Sequence, residues 1–221
     1  CVTSNQRPCS YPEFGHRRER NSATYLYIDK DGICDACKVA EEKRDIDWKK
    51  RKKELTILLN KYRSKNGDYD CIVPGSGGKD SVYAAYVLKY EYGMNPLTVT
   101  WPPILYTDYG YKNFLNWINI GGFDNITYKQ NGRVMRLLTK LSIKNLFHPF
   151  QTFVLGQKNI PPLIAKKFNI PLVLYGENEA EYGNPKKNMS LSHRENKYFS
   201  SKNYNNIYLA GLSLNQLKVK Y

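Results

Sequence analysis

Tyr69-Asp-Cys-Ile-Val-Pro-Gly-Ser-Gly-Gly-Lys-Asp-Ser81 runs from an apolar strand through a glycine loop into a helix. Gly75, Gly77 and Gly78 let the backbone adopt φ > 0 and come close to a ligand. Successive N–H groups of such a loop form an anion cradle, and a helix starting near Asp80 adds its positive end. Ser76 and Ser81 offer hydroxyls, Lys79 a point charge, and Asp80 a carboxylate suited to Mg²⁺. The stretch therefore predicts a polyphosphate site at residues 76–81, with Lys79 and Asp80 as the catalytic candidates. It is not a Walker A loop, because Val73 stands where that pattern needs glycine, and it is not G-x-G-x-x-G, because Asp80 takes the third glycine's place. The plain alternative is an ordinary glycine turn.

Working outward, short apolar strands alternate with helical stripes. Leu55, Leu58, Leu59 and Tyr62 mark a helix over 48–63, with Asp47 as its cap. Strands are expected at 71–73, 97–100, 125–128 and 172–175. Helices are expected at 80–91, around Tyr111 to Ile118, around Val134 to Leu141, at 150–158, at 162–168, and from about Tyr208. This alternation predicts an α/β fold, a mainly parallel sheet with helices on both faces. Residues 183–206, rich in Asn, Lys and Ser, read as a solvated insertion or an active-site flap.

The length of 221 residues suits one α/β core over 48–221 and a small module over 1–47 that holds four of the five cysteines. There is no apolar run of about 18 residues and no signal-peptide pattern. Without a secretion signal, a reducing, cytoplasmic setting is expected. The start at Cys1 rather than Met suggests a trimmed chain, and the end at Tyr221 is suspected likewise. The formal net charge of +14 suits nucleic acid, nucleotides or a membrane surface. The expected reading is instead Lys-rich composition spread over solvated faces, with nucleic acid not the partner, because no single face is visibly all basic.

Ser76-Gly-Gly-Lys-Asp-Ser81 resembles the signature loop of the PP-loop ATP pyrophosphatases, whose fold is adenine nucleotide α-hydrolase-like. A narrower resemblance is to the N-acetyl sugar amidotransferases of bacterial surface-polysaccharide and nonulosonic acid pathways. It is carried by Cys1-Val-Thr-Ser-Asn-Gln-Arg-Pro8, Asp31-Gly-Ile-Cys-Asp-Ala-Cys37, Ile46-Asp-Trp48, Thr98-Val-Thr-Trp101, Tyr106-Thr-Asp108, Asn131-Gly-Arg133, His148-Pro-Phe-Gln151, Gly156-Gln157, Tyr175-Gly-Glu-Asn178 and Glu181-Tyr-Gly183. Such proteins usually extend further at the C-terminus. The resemblance implies ATP bound on the loop, with adenine near the end of the second strand at Thr100 and Trp101. It also implies an N-acetylated sugar, free or nucleotide-linked, whose acetamido group becomes acetamidino through an adenylylated intermediate, with release of AMP and pyrophosphate. No Cys-His glutaminase pair is visible, so ammonia would come from a separate glutaminase subunit. The alternatives are a tRNA-thiolating PP-loop enzyme and a noncatalytic nucleotide-binding module.

Cys34-Asp-Ala-Cys37 has the spacing of half a structural zinc site. The resemblance implies that Cys1 is the second cysteine of a further CxxC, with Cys9 as the other candidate. Free thiols are the plain alternative, and a redox CxxC is disfavoured because no strand-to-helix setting is expected there. Glu177, Asn178 and Glu181 follow the strand 172–175, on the rim where parallel sheets bind ligands, and are candidates for Mg²⁺ or sugar. Asp108, His148, Gln151 and Gln157 are further substrate candidates. Against them, Asp108 and Gln151 suit helix caps, and His148-Pro149 suits a helix end. Trp101 and Tyr106 suit either stacking on a ligand or core packing.

Overall fold

The computed structural model describes Gly15, residues 27–177 and residues 207–220. The chain divides into two compact units. One comprises residues 49–137 and 152–177; the other combines the chain up to Trp48 with 138–151 and the C-terminal segment.

The first unit holds a parallel sheet of β1 (Cys71–Pro74), β2 (Pro96–Thr100), β3 (Asn125–Thr127) and β4 (Leu172–Val173), in the order β3-β2-β1-β4. Ile72 pairs with Leu97 on one side and Val173 on the other. Alternation along the strands splits the core in two. Cys71 and Val73 face a cluster with Leu59, Ala85, Leu88, Phe114 and Trp117. These come from α2 (Trp48–Tyr62), α3 (Lys79–Tyr86) with its π-helical continuation Val87–Glu91, and α4 (Asp108–Asn119). Ile72, Leu97 and Val99 face Ile164, Ala165 and Ile170, at the end of α6 (Gln151–Lys167). The expected α/β class with helices on both faces is thus observed, and the strand order is compatible with a Rossmann-like fold.

At the β2–β3 edge the sheet carries a buried polar ladder. Asn125 Nδ2 donates to Thr98 Oγ1 and Thr100 Oγ1, both at 2.9 Å, and Thr98 Oγ1 donates to the Asp124 carbonyl at 2.7 Å. At the opposite end of the strands, Asp70 is almost fully buried and accepts from the N–H groups of Asn95 and Ser64.

Two expectations change. Where two helices were expected over 150–168, there is one, with Pro161 and Pro162 inside it. A proline at 162 cannot donate to the Lys158 carbonyl, and the Tyr175 hydroxyl donates to that oxygen instead, at 3.4 Å. The C-terminal helix begins later than Tyr208. Tyr208–Leu209 (β5) and Leu212–Ser213 (β6) first pair as an antiparallel hairpin, followed by α7 (Leu214–Lys220). The two turn residues, Ala210 and Gly211, have φ of 54° and 78°, the geometry of a two-residue hairpin turn that helical periodicity does not reveal.

Ala210 is an uncommon residue at positive φ, and it is held by two amide side chains. Asn145 on α5 (Gly132–Leu146) donates to its carbonyl at 2.9 Å. Gln151 accepts from its N–H at 2.5 Å and donates to the Tyr208 carbonyl at 3.1 Å. Gln151 is fully buried. Gln151→Leu should strand the Ala210 N–H and the Tyr208 carbonyl and cost about 1–3 kcal/mol. Urea unfolding followed by tryptophan fluorescence measures the loss; a variant as stable as the parent would show that the clamp contributes nothing.

Candidate functional site

The glycine loop leaves the sheet at its centre. The N–H of Gly75 donates to the Val99 carbonyl at 3.0 Å, which carries the β1–β2 ladder one residue past the strand. A Cβ on Gly75 would lie 2.4 Å from Ser81 Cβ and 2.8 Å from the Trp117 ring. Gly77 has φ +86°, and a Cβ there would lie 2.6 Å from the backbone nitrogen of Phe114. The loop is therefore seated against α4 by two residues that have no room for a side chain. Gly78 is different. It is exposed, has an allowed φ of −70°, and a Cβ there would meet nothing within 4 Å.

Gly78 is the N-cap of α3 and provides no side-chain cap, so the first-turn N–H groups have no intrahelical acceptor. Ser81 Oγ points back, donating to the Gly78 carbonyl at 3.0 Å. The Lys79 side chain is 89% exposed, and its Nζ lies 2.7 Å from Asp80 Oδ1. Such an exposed pair adds little stability; its effect is to place a cation and a carboxylate side by side at the mouth of the loop.

The switch in strand order falls at β1, which has β2 on one flank and β4 on the other. The crevice beyond the carboxyl ends at such a point is where open α/β sheets bind ligands. Gly176, just past β4, packs on the start of α3, since its Cβ would lie 2.5 Å from the Asp80 carbonyl oxygen. That approach brings the next residue, exposed Glu177, to the rim beside Asp80. Asn178 and Glu181 lie outside the described residues.

The other candidates are placed as follows. Thr100 is fully buried, and its hydroxyl accepts from Asn125. Trp101 stacks on Tyr128 with centroids 5.8 Å apart. Its ring also lies against α6 at Gly156, where a Cβ would be 2.0 Å from it. The indole Nε1 is buried without a hydrogen-bond partner among the described residues. Core packing is thus the role observed for Trp101. Asp108 is the exposed first residue of α4, and the cap is its neighbour Thr107, whose Oγ1 accepts from the Gly110 N–H at 3.0 Å. Tyr106 packs edge-on to Tyr111, and burial, then Tyr111, pushes its phenol above the usual range. Gln157 is exposed on α6. His148 and Gln151 belong to the other unit, and the Gln151 amide is engaged by the hairpin backbone.

The cysteine pair sits in that other unit too. Ile28 and Cys34 form an antiparallel bridge around a turn in which Asp29 accepts from the N–H groups of Asp31 and Ile33. Cys34 then stands at the N-cap position of α1 (Asp35–Glu42), so the pair does open a helix, contrary to expectation, although it follows a tight turn rather than a sheet strand. The two sulfurs are 3.6 Å apart. Zinc–sulfur bonds of about 2.3 Å in a tetrahedron place two sulfurs about 3.8 Å apart, so the pair suits one edge of a zinc site. No cluster of three or more possible ligands occurs among the described residues, and Cys1 and Cys9 lie outside them. The hydrogen bond with Cys34 is the main cause that raises the Cys37 thiol pKa. Burial, then the nearby charge of Asp70, holds the Cys71 thiol protonated far above the usual range.

No protein-family model matches the chain. The uncharacterized protein MJ1599 of Methanocaldococcus jannaschii is 43% identical over 53 residues, which is 24% of this chain and 19% of that protein. The chain thus spans about a fifth of the length of this relative.

Sequence reasoning singled out the loop, its glycines and the rim carboxylate but missed the packing roles of Gly176 on the Asp80 backbone and of Gly156 on the Trp101 ring. Each carried a signal, since it is a lone glycine in an otherwise side-chain-rich segment.

Two outcomes follow from this geometry. Gly77→Ala should destabilise the sheet unit, by about 1–2 kcal/mol from positive φ alone and more from the contact with α4, whereas Gly78→Ala should melt like the parent. Equal melting of the two variants would contradict the seating. In metal-stripped native protein, iodoacetamide should label Cys37 faster as pH rises through the thiol range, because thiolate is the reactive form. Cys71 should stay unlabelled until the chain unfolds, and mass mapping of native Cys71 adducts would overturn its burial.

Proposed function

We propose that this chain binds ATP on the 76–81 loop and is the synthetase part of an N-acetyl sugar amidotransferase. The observation that carries the reading is the loop's asymmetry. Gly75 and Gly77 are closed against the protein, while Gly78 is open at an uncapped helix N-terminus at the sheet's switch point. An open backbone at a helix N-terminus suits a polyphosphate, because backbone N–H donors there meet negative charge without a side chain intervening.

In this reading Lys79 and the loop amides stabilise charge on departing pyrophosphate. Asp80 and Glu177 are the carboxylates that would hold Mg²⁺, which shields the phosphates when bound. The acetamido oxygen of the sugar attacks the α-phosphate, forming a P–O bond as the bond to pyrophosphate breaks. Ammonia then adds to the activated carbon, a proton is lost, and AMP leaves with the former amide oxygen. The product carries an acetamidino group. The sugar, the ammonia-supplying glutaminase subunit and the zinc-bound N-terminal module rest on the resemblance in sequence.

The tRNA-thiolating alternative is the weaker reading. A sulfur carrier must be accessible, and the sheet unit's cysteine, Cys71, is fully buried with its thiol held protonated. A noncatalytic module would bind nucleotide without turnover.

The test combines ATP, Mg²⁺, ammonium and N-acetylated sugars, with mass spectrometry of the sugar and assay of AMP and pyrophosphate. Replacement of oxygen by NH, with AMP and pyrophosphate released, is expected; ADP as product, or modification of tRNA instead, would sink the reading. Lys79→Ala should lower turnover by about 100-fold or more. Gly78→Ala should weaken ATP binding while the fold is kept, because its methyl enters the open mouth of the loop. Parent-like ATP binding by Gly78→Ala would remove the observation on which the proposal stands.

A further inference from the structure

The acidic residues of the chain are unevenly placed, which leaves one stretch with a basic excess although its Lys and Arg are no denser than elsewhere. Between Asp124 and Glu177 there is no Asp or Glu, while eight Lys or Arg occur. Part of this charge lies as a pair on one helix. Lys140 and Lys144 on α5 stand at i and i+4, a spacing that aligns them along one side. Both are exposed, and neither is in an ion pair among the described residues. The other side of the helix buries Leu141 and Ser142.

The pair adjoins apolar side chains that water surrounds. Ile143 is half exposed, Phe150 is 52% exposed and Phe147 is 86% exposed. Phe147 terminates α5 in the left-handed region, with φ of 52° and its N–H donating to the Ile143 carbonyl at 3.1 Å. Scattered exposed apolar residues need no explanation. Three of them within eight residues, next to Lys140 and Lys144 and in a segment with no acid, form a patch of one character.

We propose that this face docks the chain peripherally on an anionic lipid bilayer. The bilayer is the occupant whose chemistry meets both halves of the patch. Its headgroups attract cations within a Debye length, and its acyl boundary takes up exposed Phe and Ile side chains beside those cations. A phosphodiester chain would meet the cations but has no apolar layer for Ile143. A protein partner would need acids in register with the helix and a pocket for Phe147, whereas a fluid bilayer adapts to both. The attachment lies on the surface, since no helix among the described residues is long and apolar enough to cross a membrane. This inference does not rest on the nucleotide reading.

The experiment is co-sedimentation of the full chain with vesicles of phosphatidylcholine alone or with about one-third phosphatidylglycerol. Binding to the anionic vesicles only, reversed by salt, is expected. Lys140→Glu combined with Lys144→Glu should lower the partition coefficient by at least the roughly fivefold per cation that such charges supply. Phe147→Gly should lower it by on the order of tenfold while leaving the helix end intact, since glycine readily takes φ of 52°. Lys49→Glu with Lys53→Glu, the same charge change on α2, should leave partition within about twofold, which separates the patch from net charge. The proposal is overturned by no binding to anionic vesicles, by equal loss in the α2 variant, or by parent-like partition of Phe147→Gly. Capture of polyuridylate through Lys140 and Lys144 without vesicle binding would assign the pair to nucleic acid instead.

Discussion

The close approach of the glycine loop to α4 is the constraint on which the rest of the sheet unit depends. At Gly77 the backbone of α4 occupies the place a Cβ would take, and at Gly75 Ser81 and the Trp117 ring do so. Both contacts need glycine for steric reasons, and Gly77 also needs it for its positive φ. Because the loop seats on α4, the start of α3 is oriented by packing rather than by a cap. On the β4 flank, Gly176 repeats the device by packing directly on the Asp80 backbone. Three glycines thus bring three backbone segments together where the strand order switches.

Elsewhere amide side chains satisfy several of the buried polar groups. Asn125 ties β3 to β2 through two threonine hydroxyls. Asn145 and Gln151 hold the hairpin turn at Ala210. An amide carries both donors and an acceptor, so one side chain can meet a carbonyl and an N–H together, as Gln151 does. These residues share a chemical type with ligand-binding residues, which is why Gln151 read as a substrate candidate. Its burial and its two backbone partners instead assign it to the hairpin. Thr100 and Trp101 follow the same pattern, one bound into the ladder and the other packed between Tyr128 and α6.

The alternation of short apolar runs with helical stripes was enough to predict a parallel α/β sheet, because burial on both faces demands continuous apolar strands and crossover helices. The 69–81 stretch was enough to place a strand–loop–helix junction, since glycine clusters have few other uses at such a point. The CxxC spacing was enough to bring two sulfurs within reach of one metal ion. These features are local, and local sequence determines them. Strand order, and hence the switch point at β1, depends on which hydrophobic faces find each other, so only the tertiary structure decided it. The same holds for which glycine of the loop is closed and which is open, because that depends on α4, more than thirty residues away. The hairpin at Tyr208–Ser213 was hidden because Ala210 takes a conformation that alanine rarely adopts alone and holds here through Asn145 and Gln151. The continuous α6 was hidden because Tyr175, from after β4, supplies the donor that Pro162 lacks. In each case a residue distant in sequence meets a backbone requirement that no local pattern records.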